Sequence, residues 1–464
     1  MPHNNRSERV ITRDTASSNE ISLAYDPTSA DSIIEYAKRL EGKTLREMCD
    51  APDLPDPHTR RGSFGNAIEQ YYFGYAINSD SAPDFAEAGL ELKTTPMKKR
   101  ADGQLVAKER LVLTMIDYMH VPMESFEDSH LLDKVADLAL ISYLYEPDKN
   151  PVDYKIQFAE RWQIPDSDIP QIKKDWETVV AKVMNGHAED ISGSDTMYLE
   201  ACTKAKDSSV RTSQPFSDKP AKPRAWAFKA SYMTGVERQL LAHSESIRRE
   251  SDEESLGILE LIRKRFEPYF SMNQDELTEL FEVNSSAKSA YALVTNRILG
   301  VGDKSTIAEL DKAGAKPKTI RLRPNGTPKE AVSFPAIDYF ELEETPFENS
   351  LFKEQLEQLY LFVVYQDSGD ENYVLKDVFF WRMPEEDMPE AKRCYEQMRN
   401  NVIKGNAESS VKSSENRCCH VRPHARNKAD TRPQPHGEPV TKKCFWLNQS
   451  YLRDEIAKMM TTEK

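Results

Sequence analysis

Apolar positions along this chain recur with two different periods. Between Gly62 and Tyr75, the residues Phe64, Ala67, Ile68, Tyr71, Tyr72 and Tyr75 fall at the spacing of one helix face, with Glu69 beside the stripe. A polar turn, Asn78 to Pro83, follows and leads to Asp84. From Gly89 to Thr94 the pattern becomes strict alternation, which predicts a strand with Leu90 and Leu92 on one face and Glu91 and Lys93 on the other. Further along, Tyr154 to Ala188 reads as a strand, a proline-bounded turn and an amphipathic helix ending near Gly186.

That last unit occurs twice. Tyr154 to Ala188 aligns without a gap on Tyr373 to Ala407, pairing Tyr154 with Tyr373, Trp162 with Trp381, Asp168 with Asp387 and Gly186 with Gly405. The match extends upstream, where Ile116-Asp117-Tyr118 recurs as Ile337-Asp338-Tyr339. Downstream, Ser231-Tyr232-Met233 recurs as Ser450-Tyr451-Leu452. Amphipathic segments Ser32 to Met48 and Leu256 to Phe281 open the two halves. The expected organisation is a first domain over 1–241, a charged linker over 242–255 and a second domain over 256–464, each a mixed α/β sheet flanked by helices. Trp162 and Trp381 are expected to pack in the cores; Tyr232 and Tyr451 suit either DNA contact or packing, and packing is the favoured reading.

The 464-residue length suits two domains, and no apolar run approaches the roughly 20 residues of a membrane helix. The stretch Met1 to Asn19 lacks the apolar core of an export signal, and the six cysteines show no disulfide-like spacing, so a cytoplasmic, bacterial setting with reduced thiols is expected. A net charge of −15 argues against a polyanionic partner until its distribution is examined. Cys202 to Ala230 carries seven basic residues against two acidic ones, and so does Arg417 to Lys443. Lys93 to Arg110 and Lys312 to Lys329 are basic as well. A single such run is a solvated loop. Four in matching places suit a protein that grips a polyanion along one face.

Asp84, Glu91 and Lys93 fit phosphodiester hydrolysis. Mg2+ is held by a few carboxylates while it keeps several waters, and Mn2+ can substitute; Asp84 and Glu91 supply such a clamp. Lys93 is suited to orient water or stabilise developing charge. Glu69 is suited to a second metal or a water, and Lys134 lies close to the next apolar segment. The plain alternative is a surface strand with exposed charges, because an Asp followed by Glu-x-Lys arises often by chance.

The stretches GSFGNAIEQYYFG at Gly62 to Gly74 and PDFAEAGLELKTTP at Pro83 to Pro96 resemble the MutH family of GATC-specific nucleases, within the restriction-endonuclease fold. The similarity continues through Lys134, through Lys173 to Gly186, and into YLEACTKA at Tyr198 to Ala205. The tandem arrangement, with CHVRPHAR at Cys419 to Arg426, is most similar to type II restriction enzymes with two MutH-like domains. The resemblance implies that Asp84, Glu91 and Lys93 are catalytic or metal-binding, with Glu69 an accessory acid and Lys134 an accessory base or phosphate contact. It also implies that Lys204 and Lys229 face double-stranded DNA containing GATC. Ala227 departs from the aromatic residue that senses adenine methylation in the repair enzyme, which puts in doubt any preference for hemimethylated DNA.

Across the repeat, Glu91 becomes Lys316, Asp84 becomes Glu309, Lys93 becomes Lys318 and Glu69 meets Thr295, while Pro317 is expected to interrupt the strand. The second half is therefore expected to have lost the metal site and kept DNA-facing charge at Arg422, His424 and Arg426, as a domain that binds a second DNA site and stimulates the first. A DNA-induced dimer fits this scheme. Cys418, Cys419, His420, His424, His436 and Cys444 cluster but match no standard zinc spacing. Two rivals stand beside the restriction enzyme: a mismatch-repair strand nickase, which the duplicated half disfavours, and a non-catalytic DNA-binding protein.

Overall fold

The computed structural model describes residues 24–55, 63–75, 82–100, 103–241, 244–302 and 306–462. The N-terminal stretch Met1 to Asn19 and most of the turn before Asp84 lie outside them. The chain divides into two compact units, residues 1–243 with 249–255 and residues 244–248 with 256–464.

The first unit is built on a four-stranded mixed sheet. Its strands are β1 (Glu91–Lys99), β2 (Leu105–Ala107), β4 (Leu138–Leu144) and β5 (Lys155–Trp162), in the order β2-β1-β4-β5. β1 and β4 run parallel, with Glu91 opposite Leu138, Lys93 opposite Leu140 and Thr95 opposite Ser142. Leu90, Leu92, Ala139 and Ile141 face a core shared with Ile33, Phe64, Ile68, Tyr72 and Phe73. The predicted helix before the site is not one regular helix. An α-helical turn, Ser63–Ala67, passes into a π-helix, Ile68–Phe73. The wider π turn slips the inward face by one position. Phe73 is buried, and Tyr71 and Tyr75, which an unbroken α period would turn inward, are half-buried. Burying Phe73 contributes roughly 1.5–3 kcal/mol.

A second, antiparallel sheet of the first unit has the order β3-β9-β6, with β3 at Leu111–Met115, β6 at Leu199–Thr203 and β9 at Arg224–Phe228. Between β6 and β9 a hairpin, β7 (Thr212–Gln214) and β8 (Ser217–Ala221), extends the basic segment. Asp175, buried on the helix Ile169–Met184, accepts the N–H groups of Met197, Tyr198 and Leu199 at 3.0, 2.6 and 2.9 Å and so fixes the start of β6. The helix Ala230–Leu240 follows β9 directly.

The second unit repeats this plan. The stretch read as a linker is divided: Ser244–Glu245 (β10) pairs in parallel with Thr306–Ile307 (β11) in the second unit, while Arg249 donates to the Glu253 carbonyl within the first. β12 (Ala315–Leu322), β14 (Leu359–Asp367) and β15 (Tyr373–Trp381) form a mixed sheet in that order. β13 (Ser333–Ala336), β19 (Lys443–Leu447) and β16 (Cys419–Pro423) form an antiparallel one, beside a hairpin of β17 (Thr431–Arg432) and β18 (Val440–Thr441). Equivalent bonds hold the two copies. Tyr232 donates to Asp168 Oδ2 at 3.0 Å and Tyr451 to Asp387 Oδ2 at 2.7 Å, and Ser129 and Ser350 cap equivalent short helices. Trp162, Trp381, Tyr232 and Tyr451 are all buried.

Pro317 does not break its strand, contrary to the sequence expectation. β12 runs through it in register with β14. β12 is an edge strand, so the missing N–H leaves no ladder partner unsatisfied. No helix among the described residues is long and apolar enough to cross a membrane.

Candidate active site

The site begins at a tight turn. Phe85 and Leu90 bond each other's backbone, and Gly89 closes the turn at φ 66°, a left-handed conformation that a side chain would strain. The turn folds Asp84 back onto β1, where its Oδ2 accepts the N–H of Leu92 at 2.9 Å. Strand alternation places Glu91 and Lys93 side by side, and Lys93 Nζ donates to Glu91 Oε1 at 2.6 Å. Lys134, from the helix His130–Val135 that precedes β4, brings its ammonium to 3.8 Å from Glu91 Oε2, an ion-pair distance that is too long for a hydrogen bond. Glu91 Oε2 is buried and has no hydrogen-bond partner.

Glu69 comes from the π-helix, and its carboxyl is pushed up to about 7 by burial and by the Asp84 charge, against a pull from Lys93. Asp84 is also raised, first by burial and then by Glu91. Burial and neighbouring carboxyls thus raise the proton affinity of Glu69 and Asp84 at one strand end, and the lysines only partly offset the rise. A divalent cation would relieve that repulsion and would give the bare Glu91 oxygen a partner. The three acids do not converge within ligand distance of each other. Among the described residues, the group of three possible ligand atoms within 4.8 Å of one another is the surface set His187, Glu189 and Asp190. The cysteine–histidine cluster of the second half forms no such group either, although Cys444 Sγ lies 3.4 Å from His424 Nδ1.

The basic residues sort into two kinds. Lys204 is exposed at the end of β6. Lys229 is not presented in the same way: its ammonium donates to the carbonyls of Gly193, at 2.6 Å, and Thr196. Its repeat equivalent, Asn448, makes the same kind of bond to the carbonyls of Asn416 and Arg417 at 2.6 and 2.9 Å. Both side chains brace a neighbouring loop through its carbonyls. Arg422, His424 and Arg426 are exposed. The Arg422 guanidinium lies 4.0 Å over the Trp446 ring, and His424 packs 5.0 Å from the same ring. Trp446 occupies the register that Ala227 holds in the first unit.

The second unit's equivalent of the acidic cluster is dismantled. Lys316 stands exposed where Glu91 would be. Both oxygens of buried Glu309 accept the Ile247 N–H at 3.1 Å. Lys318 packs 5.6 Å from the Tyr360 ring, and burial lowers its proton affinity. The basic strip expected here is largely absorbed by the fold: Lys312 is buried, Arg321 pairs with Glu330, and Arg323 bonds the carbonyls of Pro328 and Lys329.

The family model described as DNA mismatch repair enzyme MutH matches residues 73–175 and 303–393. The first segment contains Asp84, Glu91, Lys93 and Lys134, and the second contains their altered equivalents. The chain is 30% identical to the type II restriction enzyme Sau3AI of Staphylococcus aureus, over 91% of this chain and 97% of that protein. It is 25% identical to DNA mismatch repair protein MutH of Enterobacter sp. (strain 638), over 41% of this chain and 83% of that protein. The figure for MutH of Pectobacterium atrosepticum is 26%, over 40% and 80%.

Proposed function

The chain belongs to the family of type II restriction enzymes with MutH-like domains, and from that premise we propose that it cuts double-stranded DNA at GATC with the Asp84, Glu91 and Lys93 cluster and Mg2+. The buried Glu91 oxygen without a hydrogen-bond partner, between Asp84 and two lysines, is the observation that carries this reading. A second DNA site bound by the second unit, and a DNA-induced dimer, complete the proposal. The similarity to a type II restriction enzyme over 91% of this chain favours double-strand cutting over strand-selective nicking.

Asp84 and Glu91 would hold the ion. Bound there, Mg2+ or Mn2+ supplies charge neutralisation at the phosphate and an acidified water. The chain's own groups do the remaining work. Lys93, held by Glu91 Oε1, carries an ammonium beside the reacting phosphate to orient water and stabilise developing charge. Lys134 offers a second cation that is not hydrogen-bonded to the acid it faces and can meet a phosphate oxygen. Glu69, whose carboxyl burial and Asp84 raise, is placed to take up or return a proton.

A digest of a sequenced plasmid, with the ends mapped, tests the reading. Linear fragments ending at GATC are expected with Mg2+ or Mn2+ and none with chelator. Cutting that ignores chelator, or ends elsewhere, would sink it, and nicked circles would point to a strand nickase.

Lys204 is the first-unit lysine expected to touch DNA. If it meets a base edge, Lys204→Ala should cost about 1–3 kcal/mol and blur discrimination against near-cognate sites. If it meets phosphate, binding should weaken evenly and the salt slope fall by about one unit. Titrations at several salt concentrations distinguish these, and unchanged curves would remove Lys204 from the interface.

A further inference from the structure

Two copies of one fold in one chain allow position-by-position comparison, and one buried place differs in a way that packing does not require. In the first unit Glu237, on the helix Ala230–Leu240, is fully buried. Its Oε1 accepts a hydrogen bond from Thr95 Oγ1 at 3.1 Å, and its Oε2 has no partner. Thr95 lies two residues beyond Lys93 on β1, on the same face as Glu91 and Lys93. Its neighbour across β4, Ser142, is also buried, with an unpartnered hydroxyl.

In the second unit the same three places are Ile320, Val364 and Ile456. Ile320 pairs with Val364 as Thr95 pairs with Ser142, and Ile456 follows Tyr451 at the distance at which Glu237 follows Tyr232. All three are buried in one apolar cluster. The fold therefore closes this spot well with hydrocarbon. A carboxyl there is desolvated with one oxygen unpaired, which destabilises the folded state, and burial pushes it up to about 8. The polar trio stands only in the unit that carries the acidic cluster.

We infer that Glu237 is a positioning residue for the cleavage reaction, which through Thr95 fixes the strand carrying Glu91 and Lys93 against the helix that follows β9. This rests on the active-site reading above. The helix is fastened on the neighbouring strand too, where Thr234 Oγ1 accepts the Ala107 N–H at 3.0 Å. The helix grows directly from the central strand of the sheet whose β6 leads into Lys204. Glu237 thus sets the catalytic strand relative to the sheet that presents the basic loop. Small displacements of reacting groups carry large rate penalties, so the buried bond acts on rate more than on affinity.

The test is single-turnover cleavage of a GATC duplex at saturating Mg2+ by the full-length protein, with duplex affinity and melting temperature measured alongside. Glu237→Ile, which copies the second unit, is expected to cut at least about ten-fold slower, with unchanged affinity and no loss of melting temperature. Glu237→Gln keeps an acceptor for Thr95 and is expected to restore cutting to within about three-fold of wild type. Thr95→Val removes the hydroxyl at nearly constant volume, so it keeps the test readable if Glu237→Ile fails to fold. It should show the same loss, with the double variant no slower than either single one. A Glu237→Ile protein cutting at the wild-type rate, a Gln variant as slow as the Ile variant, or losses that multiply in the double variant would overturn the inference. Glu91→Ala in the same assay separates the two readings. If it cuts normally, the active-site assignment falls; if it is inactive while Glu237→Ile is fast, only the positioning role falls.

Discussion

Glu91→Ala is expected to slow cleavage by about a thousand-fold or more, as loss of about 4 kcal/mol of transition-state stabilisation requires, and adding Lys316→Glu to it is expected to restore nothing. The first expectation follows from what Glu91 touches. One oxygen holds Lys93 at 2.6 Å, and the other is buried without a hydrogen-bond partner beside Lys134. Removing it takes away a carboxylate of the proposed metal clamp and the group that holds the lysine. Duplex affinity should hold or rise, because a carboxylate near phosphate is lost. The second expectation follows from the second unit's surroundings. A glutamate at 316 would find Glu309 committed to the Ile247 N–H and Lys318 packed toward Tyr360. No second carboxylate would be free to share an ion. Cleavage time courses with Mg2+, paired with duplex titrations, check both. A Glu91→Ala protein that cuts at the wild-type rate would remove the site from β1.

The strand and its charges were legible because alternation is a local signal: the placement of Leu90 and Leu92 against Glu91 and Lys93 follows from period two alone. The duplication was legible because identical residues recur without a gap. What escaped depended on the third dimension. The π-helix leaves the same apolar letters in place and changes only which of them turns inward, so an α period puts Tyr71 and Tyr75 on the inward face and omits Phe73. Lys229 and Arg321 look like surface cations in a basic run, yet their partners are a distant loop and a facing glutamate. Glu237 carries a readable signal: it stands four residues after Met233 and beside Val236, both buried on the same helix. A charge in that stripe is a conflict between pattern and chemistry, the sort of place where a polar role displaces packing.

Substrates with two GATC sites are expected to be cut faster than one-site substrates at low enzyme concentration, and a short GATC duplex added in trans should rescue the one-site substrate. The second unit keeps the fold of the first without its acidic cluster, so any effect on cutting must come through binding. A unit that binds DNA can change the activity of another only if its DNA favours one arrangement of the protein over another. Coupling of about 1–3 kcal/mol corresponds to a 5–150-fold effect. The residues expected to carry it are Arg422 and Arg426. The Arg422 guanidinium is stacked on Trp446 and exposed, an orientation that holds its donors at the surface at little further entropy cost. Arg422→Ala combined with Arg426→Ala should remove the stimulation and leave one-site cutting unchanged, because both lie in the second unit and neither belongs to the acidic cluster. The measurement is a time course on one-site and two-site plasmids of equal length, at low and moderate salt, with and without the added duplex. Equal rates on both plasmids, with no response to the duplex, would reduce the second unit to an additional grip on DNA, because a site that binds without favouring either arrangement transmits no free energy to the first.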